Sequence, residues 1–435
     1  MIAPDVTAHV DQLRDTLDKG KQAWVSGPGG SGRGTIIRQL VHEIPGIVVV
    51  DLPALGEADA GAVLPMLLLS ALPTSERQSL ARAPLRQLVD AVRSHDLTVI
   101  VRVPHSWAAP RAEPHHQRVR TDLAQLSSLR RLLWIVDSSL DPSVVAVEPD
   151  CKIVLGSHRV ALGEFSEAID WRGYGDAAGA LVRALPQNVL ASPVFWRLCV
   201  GAIGLGVPAE ELASIAGTPS AIRSANTILI RRIQDSPTIA TAVIRFLQAR
   251  RPVPLPLSAQ VAPLPEEHET LLTQCLGYGD PIHVSSLLRS WLERALGGML
   301  DPLELQPVHM KLAQHYRTMD GAADPRQVSA WRPMSAWLEK LHHLAHAGPQ
   351  GAPEWERQNI PRRECYWDRA RHLSRVRAYT EAAAVYARCL EKFPDDDYAQ
   401  HYHAYNLDKS NSESTDNVID HYAKAVASAP ENPWW

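Results

Sequence analysis

The sequence lacks the paired cysteines that build zinc cages and disulfide frameworks. Its five cysteines are far apart and form no CxxC pair, so we expect a reducing cytosol as the compartment. A long apolar run is also missing: the longest, at 63–72, is interrupted by Pro65 and is too short to span a bilayer. The acidic, amphipathic residues 1–20 do not have the pattern of a signal peptide. These absences predict a cytoplasmic protein that has no membrane partner.

A large charge of either sign is missing too. The formal net charge is −4 over 435 residues, which argues against a protein that binds nucleic acid through bulk charge. Hydrophobic residues make up 45% of the chain, enough for ordinary globular packing. The length predicts about two to four domains, and a proline-rich connection such as 251–256 is typical of a stiff link between them.

Five short apolar runs in the first third predict a sheet. They stand at 23–26, 47–50, 99–103, 132–136 and 153–155, each bounded by polar or turn residues. Apolar runs without alternation are typical of parallel strands that are buried on both faces. Helical stretches separate them, and an amphipathic stretch at 6–17 precedes the first. The pattern predicts a doubly wound α/β core.

A glycine-rich loop follows the first of these runs and precedes a predicted helix. In a strand–loop–helix context, glycines let backbone N–H groups close around phosphate oxygens, and the helix N-terminus favours the negative charge. The loop therefore predicts a P-loop nucleotide site. The candidate nucleotide-binding residues are Gly27, Gly29, Gly30, Ser31, Gly32, Arg33, Gly34 and Thr35.

The loop departs from the GxxxxGK[ST] pattern at two positions. Arg33 stands where the lysine is expected, and a planar guanidinium does not replace a compact ammonium. Gly34 stands at the hydroxyl position and has no oxygen for Mg²⁺. Thr35 could supply one only after a register shift, because the next helical position is rotated by about 100°. ATP or ADP is therefore the expected cofactor if any binds, and a Mg²⁺ ion is not expected.

The acid that should hold Mg²⁺ and the attacking water is also missing. The run at 98–103 ends without a carboxylate. Asp137 follows a strand whose place in the chain suits a later position in the sheet, and Asp51 is interpreted as a cap. We therefore expect no efficient hydrolysis and assign no catalytic residue. Nucleotide binding without turnover and a purely structural core both stay open.

The middle of the chain predicts further helices. Residues 271–276, 277–284 and 285–292 have the pattern helix, hairpin, helix, as at the end of a winged helix. Amphipathic helices follow at 309–316 and 337–348. In the second, His342 and His346 have the spacing of a metal pair, but no third ligand is evident in the sequence. Helix packing is the favoured interpretation, and no metal site is predicted.

The C-terminal part carries a repeat pattern. Small and aromatic residues at Ala370, Tyr379, Ala382, Tyr386 and Pro394 have the spacing of a tetratricopeptide unit of about 34 residues. A second unit repeats the pattern at Tyr422, Ala425 and Pro430. The sequence reaches Trp434 and Trp435, which would expose a large apolar area on a solenoid. We expect these two residues to contact a partner or a continuation of the array.

Taken in order, these motifs resemble a STAND-type signal-transduction NTPase, the class that includes plant NB-ARC receptors. The passage at 160–168, with its Leu-Gly-Glu-Phe-Ser-Glu-Ala segment, resembles the family's exit from the sheet. The resemblance implies an ATPase core, a helical segment, a winged helix and a repeat array that senses a ligand. It also implies a nucleotide contact for His283, because Ile282-His283-Val284 resembles the family's Met-His-Asp motif with valine in place of the acid.

The predicted fold class is multidomain, with a doubly wound parallel-sheet P-loop core, a helical and winged-helix domain, and an α-solenoid of tetratricopeptide repeats. The predicted domains are a degenerate P-loop core, a helical and winged-helix region, the winged-helix end, linking helices and about two repeats. Their boundaries are 1–165, 166–262, 263–305, 306–364 and 365–435.

The resemblance implies a regulatory or scaffold protein of bacterial-type signalling or antiviral defence. It would act by protein–protein contacts of the repeats with a separate effector chain, and its nucleotide binding would be weak or lost. Two alternatives stay open. One is a working ATP/ADP-dependent switch that uses Arg33, Thr35 and His283. The other is a winged-helix DNA-binding regulator that uses Arg289 and Arg294, although a nucleic-acid partner is disfavoured. Further arginines that could form a basic patch are Arg223, Arg231, Arg232, Arg245, Arg250 and Arg251.

Overall fold

The structure is a computed structural model. It describes residues 4–28, 31–44, 47–51, 64–65, 68–69, 72–80, 83–103, 121–137, 142, 147–156, 159–167, 169–171, 173–185, 189–218, 220–278, 282–284, 286–319, 333–358, 360 and 362–428. The described residues form two compact units. The first unit lies within Met1–Ala54 and Val92–Leu300, and the second within Leu55–Ala91 and Asp301–Trp435.

The strands of the described residues form one large sheet and two small ones. Their bounds are β1 (Ala23–Gly27), β2 (Val48–Asp51), β3 (Val99–Arg102), β4 (Leu132–Asp137), β5 (Cys151–Val154), β6 (Val160–Ala161), β7 (Leu190–Ala191), β8 (Gly277–Tyr278) and β9 (His283–Val284). The large sheet has the order β2-β3-β4-β1-β5, and every neighbouring pair is parallel. The parallel sheet predicted from the five apolar runs is confirmed.

Helices make up most of the rest. Their bounds are α1 (Pro4–Asp18), α2 (Arg33–Glu43), α3 (Thr74–Leu80), α4 (Leu85–Ser94), α5 (Leu162–Glu167), α6 (Gly175–Ala184), α7 (Pro193–Gly204), α8 (Ala209–Ile215), α9 (Ala221–Asp235), α10 (Pro237–Leu247), α11 (Leu255–Val261), α12 (Ser286–Leu296), α13 (Pro302–Met319), α14 (Pro333–His346), α15 (Gly348–Glu356), α16 (Arg363–Arg375), α17 (Tyr379–Lys392), α18 (Asp397–Ser410) and α19 (Thr415–Ser428). No helix in this part of the chain combines the length and apolarity that a bilayer span requires.

The core of the first unit surrounds the large sheet. Residues 132–136 of the central strand β4 are each at most 1% exposed, as expected for a strand covered on both faces. Along one face, Val10 and Leu13 of α1 join Val25 and Ile135 in a single buried cluster. The apolar periodicity of 6–17 thus forms the predicted helix, and that helix covers the strand that leads into the glycine-rich loop.

The later part of the first unit contains the predicted helix–hairpin–helix. Residues Leu271–Leu276 form a π-helix, which is followed by the antiparallel hairpin β8–β9 and then by α12. An isolated bridge between Val253 and Ile282 extends the hairpin. Arg197 of α7 donates to the carbonyls of Gln274 and Gly277. The hydrogen bonds from Arg197 and the bridge to Val253 hold the two ends of the hairpin segment against parts of the chain that are distant in sequence.

The second unit ends in consecutive helices. Each of α16, α17 and α18 packs on the next helix along the chain, the last of these contacts being with α19. Ala370, Ala382 and Tyr386, which the repeat pattern expects to pack between helices, are at most 1% exposed. Trp367 donates from Nε1 to Asp396 Oδ2 over 2.9 Å, and the same carboxylate accepts the Ala399 amide at the start of α18. Asp396 therefore caps α18 and links it to α16.

Candidate functional site

The glycine-rich loop leaves the sheet at the C-terminal end of β1. The neighbouring strand β4 ends beside it, since Gly27 stands in register with Asp137. On the other side, the Leu155 amide donates to the Ser26 carbonyl over 2.7 Å. Chain connections run in opposite directions on the two sides of β1, because β2 and β5 lie at opposite edges of the sheet. Open α/β sheets bind ligands outside the strand ends at such a point.

Two glycines shape the described part of the loop. A Cβ at Gly27 would lie 2.5 Å from Ser31 Oγ and 2.9 Å from Leu155 Cβ, so the position has no room for a side chain. Gly32 has a φ of 92°, in the left-handed region that favours glycine. Its carbonyl accepts the Thr35 and Ile36 amides and so opens the first turn of α2. Gly29 and Gly30 lie outside the described residues.

Arg33 at the start of α2 contacts the sheet. Its Nη1 donates to the carbonyl oxygen of Val136, the residue before Asp137 in β4. This hydrogen bond connects the N-terminus of α2 to the strand beside β1. At the next position, Gly34 brings no side chain to the first turn, as the sequence requires. The arrangement keeps the loop in place through the protein's own backbone.

The hydroxyl groups of the loop have different surroundings. Thr35 Oγ1 accepts a hydrogen bond from Arg38 Nη2 over 3.2 Å, one turn further along α2. Ser31 Oγ is buried and has no hydrogen-bond partner among the residues that the structure describes. An unsatisfied buried hydroxyl costs about 1–3 kcal/mol. A phosphate oxygen at the loop would satisfy this group, so Ser31 is the described side chain that is best placed to bind one.

The order of the strands in the sheet shows where the acidic residues at the strand ends lie relative to the glycine-rich loop. Strand β4 lies between β3 and β1, so Asp137 belongs to the later strand that the sequence order predicted for it. Strand β3 ends at Arg102, which stands in register with Asp51 of β2. Val103 follows and is buried. As far as Val103, the described end of β3 supplies no carboxylate to the loop.

The remaining predicted site residues lie at the margin of what the structure describes. His283 is in β9, where its backbone pairs with Tyr278. Its side chain is outside the described part, so its contact with nucleotide stays a prediction. The same holds for the partner contacts of Trp434 and Trp435, which both lie beyond the last described residue.

The guanidinium of Arg289, which the DNA-binding alternative would use, makes its hydrogen bonds inside the protein. This arginine is 7% exposed, and its guanidinium donates to the carbonyls of Leu247 and Ala249 at the end of α10. Buried donors that satisfy helix-end carbonyls are not available to phosphates. Arg251 is likewise buried, at 5% exposure, whereas Arg294 is exposed. Arg251 is therefore not available to the suggested basic patch, and Arg289 is not available to the suggested DNA-reading helix.

The sequence did not reveal the surroundings of His342 and His346. Both rings lie 2.8 Å from the carboxylate oxygens of Asp368, which supplies the third potential ligand. The sequence does contain a second pair of potential metal ligands with i, i+4 spacing, Asp368 and His372. This pair lies on α16, the second helix after α14. Nothing in the sequence alone shows that the two pairs face each other.

The sheet and its loop together define the class of the first unit: a P-loop NTPase-type α/β core, followed by helical domains. No protein-family model and no curated protein matches the chain. Solved structures resemble it at low identity. A Signal Transduction ATPase with Numerous Domains (STAND) protein with a tetratricopeptide repeat sensor, from Pyrococcus horikoshii, is 10% identical at a TM-score of 0.43. That match covers 98% of this chain and 58% of the other.

Two further structures resemble parts of the chain. The Walker-type ATPase of Pyrococcus abyssi is 12% identical at a TM-score of 0.30, over 66% of this chain and 95% of that one. The Aeropyrum pernix Orc1 protein, in complex with DNA, is 14% identical at a TM-score of 0.30, over 68% and 84%. The chain spans less than two thirds of the Pyrococcus horikoshii protein. Because all three scores are below 0.5, the class rests on the chain's own sheet and loop.

Proposed function

We propose that this chain is a STAND-like regulatory or scaffold protein whose P-loop core binds nucleotide weakly or not at all. The hydrogen bond from Arg33 to the Val136 carbonyl is the observation that carries the proposal. In a hydrolysing P-loop, the lysine at this position reaches the β- and γ-phosphates, and the next hydroxyl binds Mg²⁺. Here the cation contacts the sheet, and Gly34 has no oxygen to offer.

The proposed output is a protein–protein contact made by the C-terminal helices. Small residues such as Ala370 and Ala382 let paired helices approach closely, as tetratricopeptide repeats require. Repeat arrays of this kind present extended surfaces to a partner. We propose a separate effector chain as the partner, in bacterial-type signalling or antiviral defence. Trp434 and Trp435 are proposed as additional partner contacts.

One observation favours the alternative, an ATP/ADP-dependent switch. Ser31 Oγ is buried at the loop and lacks a partner among the described residues. A bound phosphate would supply that partner, and the N-terminus of α2 would add a favourable dipole. The same experiment therefore has to separate a loop that binds nucleotide from one that is only structural.

The test compares substitutions at two arginines of α2. Three proteins are melted with and without Mg·ATP and assayed for phosphate release: the full chain, Arg33→Ala and the control Arg38→Ala. The control changes an exposed arginine five residues further along α2 and leaves the Thr35 hydroxyl, to which Arg38 donates, in place. We expect no turnover and no Mg·ATP-dependent thermal shift in any of them. The double substitution Arg33→Lys with Gly34→Thr rebuilds the missing groups and is expected to create such a shift.

The contrary result is equally clear. A Mg·ATP-dependent shift in the unmodified chain that disappears in Arg33→Ala but persists in Arg38→Ala, together with phosphate release, establishes the switch. Native and denaturing mass spectrometry of the purified chain then identifies any retained ATP or ADP. It also detects an effector chain that remains bound.

A further inference from the structure

Histidines from three helices of the second unit form a cluster beside one largely buried carboxylate, and the two from α14 contact it. His342 and His346 lie one turn apart on α14, and Asp368 and His372 lie one turn apart on α16. Residues spaced i, i+4 share a helix face, so each helix presents a pair of potential ligands to the other. The remaining members are His309 of α13 and His343 of α14, whose Nδ1 atoms are 3.0 Å apart.

The distances inside this cluster are short. His342 Nδ1 lies 2.8 Å from Asp368 Oδ2, and His346 Nε2 lies 2.8 Å from Asp368 Oδ1. The imidazole rings of His342 and His346 have centroids 4.3 Å apart, and those of His346 and His372 are 4.4 Å apart. The side chains of His342, His346 and Asp368 are each no more than 14% exposed. Two imidazole nitrogens therefore contact the two oxygens of one largely buried carboxylate.

We propose that His342, His346 and Asp368 bind a divalent transition-metal ion of the zinc class, with His372 as the fourth ligand. One ligand atom from each of the first three residues lies within 4.8 Å of the others. Tetrahedral ligands that sit about 2.0–2.1 Å from Zn²⁺ are about 3.3 Å from one another. The two 2.8 Å contacts involve different oxygens of Asp368, and each would lengthen by about half an ångström if both carboxylate oxygens bound the ion.

His372 is outside the group whose ligand atoms lie within 4.8 Å of one another, so its ring would have to turn toward the ion to act as the fourth ligand. It is 4% exposed, and its Nε2 has no hydrogen-bond partner among the described residues. It lies one turn after Asp368 on α16, and its ring centroid is 4.4 Å from that of His346.

The chemistry of the proposed ligands indicates which metal ions could bind, and their positions on two helices indicate what a bound ion would do to the fold. Imidazole and carboxylate without thiolate suit Zn²⁺, and also Co²⁺, Ni²⁺ and Cu²⁺. Since the ligands come from α14 and α16, the ion would link two helices that are joined through α15. Such a site does not exist in the unfolded chain, so binding stabilises the folded unit. The proposed role is structural: the ion fixes the start of the repeat-like helices.

The test uses the full chain without a polyhistidine tag, stripped with a chelator and dialysed. Titration with Co²⁺ reads the visible absorption that arises when this ion is held by nitrogen and oxygen ligands, and elemental analysis after Zn²⁺ loading reads the stoichiometry. We expect equimolar binding and a rise in the thermal midpoint on adding Zn²⁺. Removing one ligand, in His342→Gln or Asp368→Asn, is expected to weaken Co²⁺ binding by roughly 10–100-fold or more.

His315→Gln is the matched control. It removes a half-buried histidine of α13, the helix that also carries His309, and leaves the proposed ligands intact. This variant is expected to bind Co²⁺ like the unmodified chain. Far-UV circular dichroism shows whether each variant folds. If a ligand variant does not fold, titration of the stripped, unmodified chain decides by itself, because failure to bind Co²⁺ or Zn²⁺ overturns the proposal. Binding that persists unchanged in both folded ligand variants overturns it as well.

Discussion

Gly27 and Gly32 are needed in the loop for different physical reasons. Gly32 has the positive φ that opens α2, whereas Gly27 has an ordinary backbone and no space beside it. A Cβ at Gly27 would lie 2.9 Å from Leu155 Cβ and 3.1 Å from the Leu155 carbonyl oxygen. Neither of those atoms can rotate away, unlike the hydroxyl of Ser31. The close approach of β1 to the segment after β5 therefore depends on the absence of a side chain.

Gly27→Ala is expected to destabilise the first unit. Overpacking at this contact should lower the free energy of unfolding by about 1–3 kcal/mol, as measured by urea denaturation. Gly156→Ala is the control, because a Cβ at Gly156 has nothing within 4 Å. It should change stability by no more than about 0.5 kcal/mol. Equal effects of the two substitutions would show that the contact with Leu155 does not limit this position.

At the scale of helices, Arg289 links α12 to the end of α10. The last carbonyls of a helix have no partner within it. The Arg289 guanidinium donates to that of Leu247, the last residue of α10, and to the carbonyl of Ala249 just beyond the helix. It also lies 3.1 Å from Glu293, one turn further along α12. The arginine therefore supplies a C-terminal cap from another helix. This position requires its fork of donors rather than its charge alone.

Arg289→Met tests this cap. The substitution keeps a long side chain but removes the donors, so the two carbonyls lose their partner. We expect a loss of about 1–3 kcal/mol in the free energy of unfolding, measured by chemical denaturation. Arg294→Met, on the same helix but exposed, should stay within about 0.5 kcal/mol. Similar losses at both positions would contradict the capping role.

The helices and strands also show which parts of the fold could be predicted from the sequence. The strands were predictable because apolar runs such as 132–136 are long enough to be buried on both faces. Asp137 could be assigned to a later strand from chain order alone. The bond from Arg33 to Val136 could not, because it depends on how α2 meets β4. The pairing of His346 with Asp368 depends in the same way on which faces of α14 and α16 meet. Periodicity specifies a helix face but not its neighbour.

At the scale of the whole molecule, the distribution of charge bears on whether the protein is a DNA-binding regulator or a scaffold. The net charge is −4, and the arginines named for the DNA-binding alternative, in the suggested patch and on the suggested recognition helix, do not share one environment. Arg223, Arg231 and Arg232 are exposed on α9, but Arg251 and Arg289 are buried. Duplex DNA binding requires several cations that each neutralise a phosphate. Of the arginines named for the DNA-binding alternative, Arg223, Arg231, Arg232 and Arg294 are exposed, so that alternative keeps only part of its expected contacts.

We therefore expect only weak, non-specific binding to duplex DNA, with a dissociation constant of about 10⁻⁶–10⁻⁴ M at physiological salt. Fluorescence anisotropy of a labelled duplex, repeated over a range of salt concentrations, measures both affinity and salt dependence. Replacing Arg223, Arg231 and Arg232 by Gln should abolish even this binding, because these three exposed cations lie on one helix, α9.

The scaffold proposal would be contradicted by tighter binding with a steep salt dependence. This binding would have to survive the triple substitution and be lost in Arg294→Gln. Arg294 would then be a phosphate contact of a DNA-reading α12, and the winged-helix regulator would become the better interpretation.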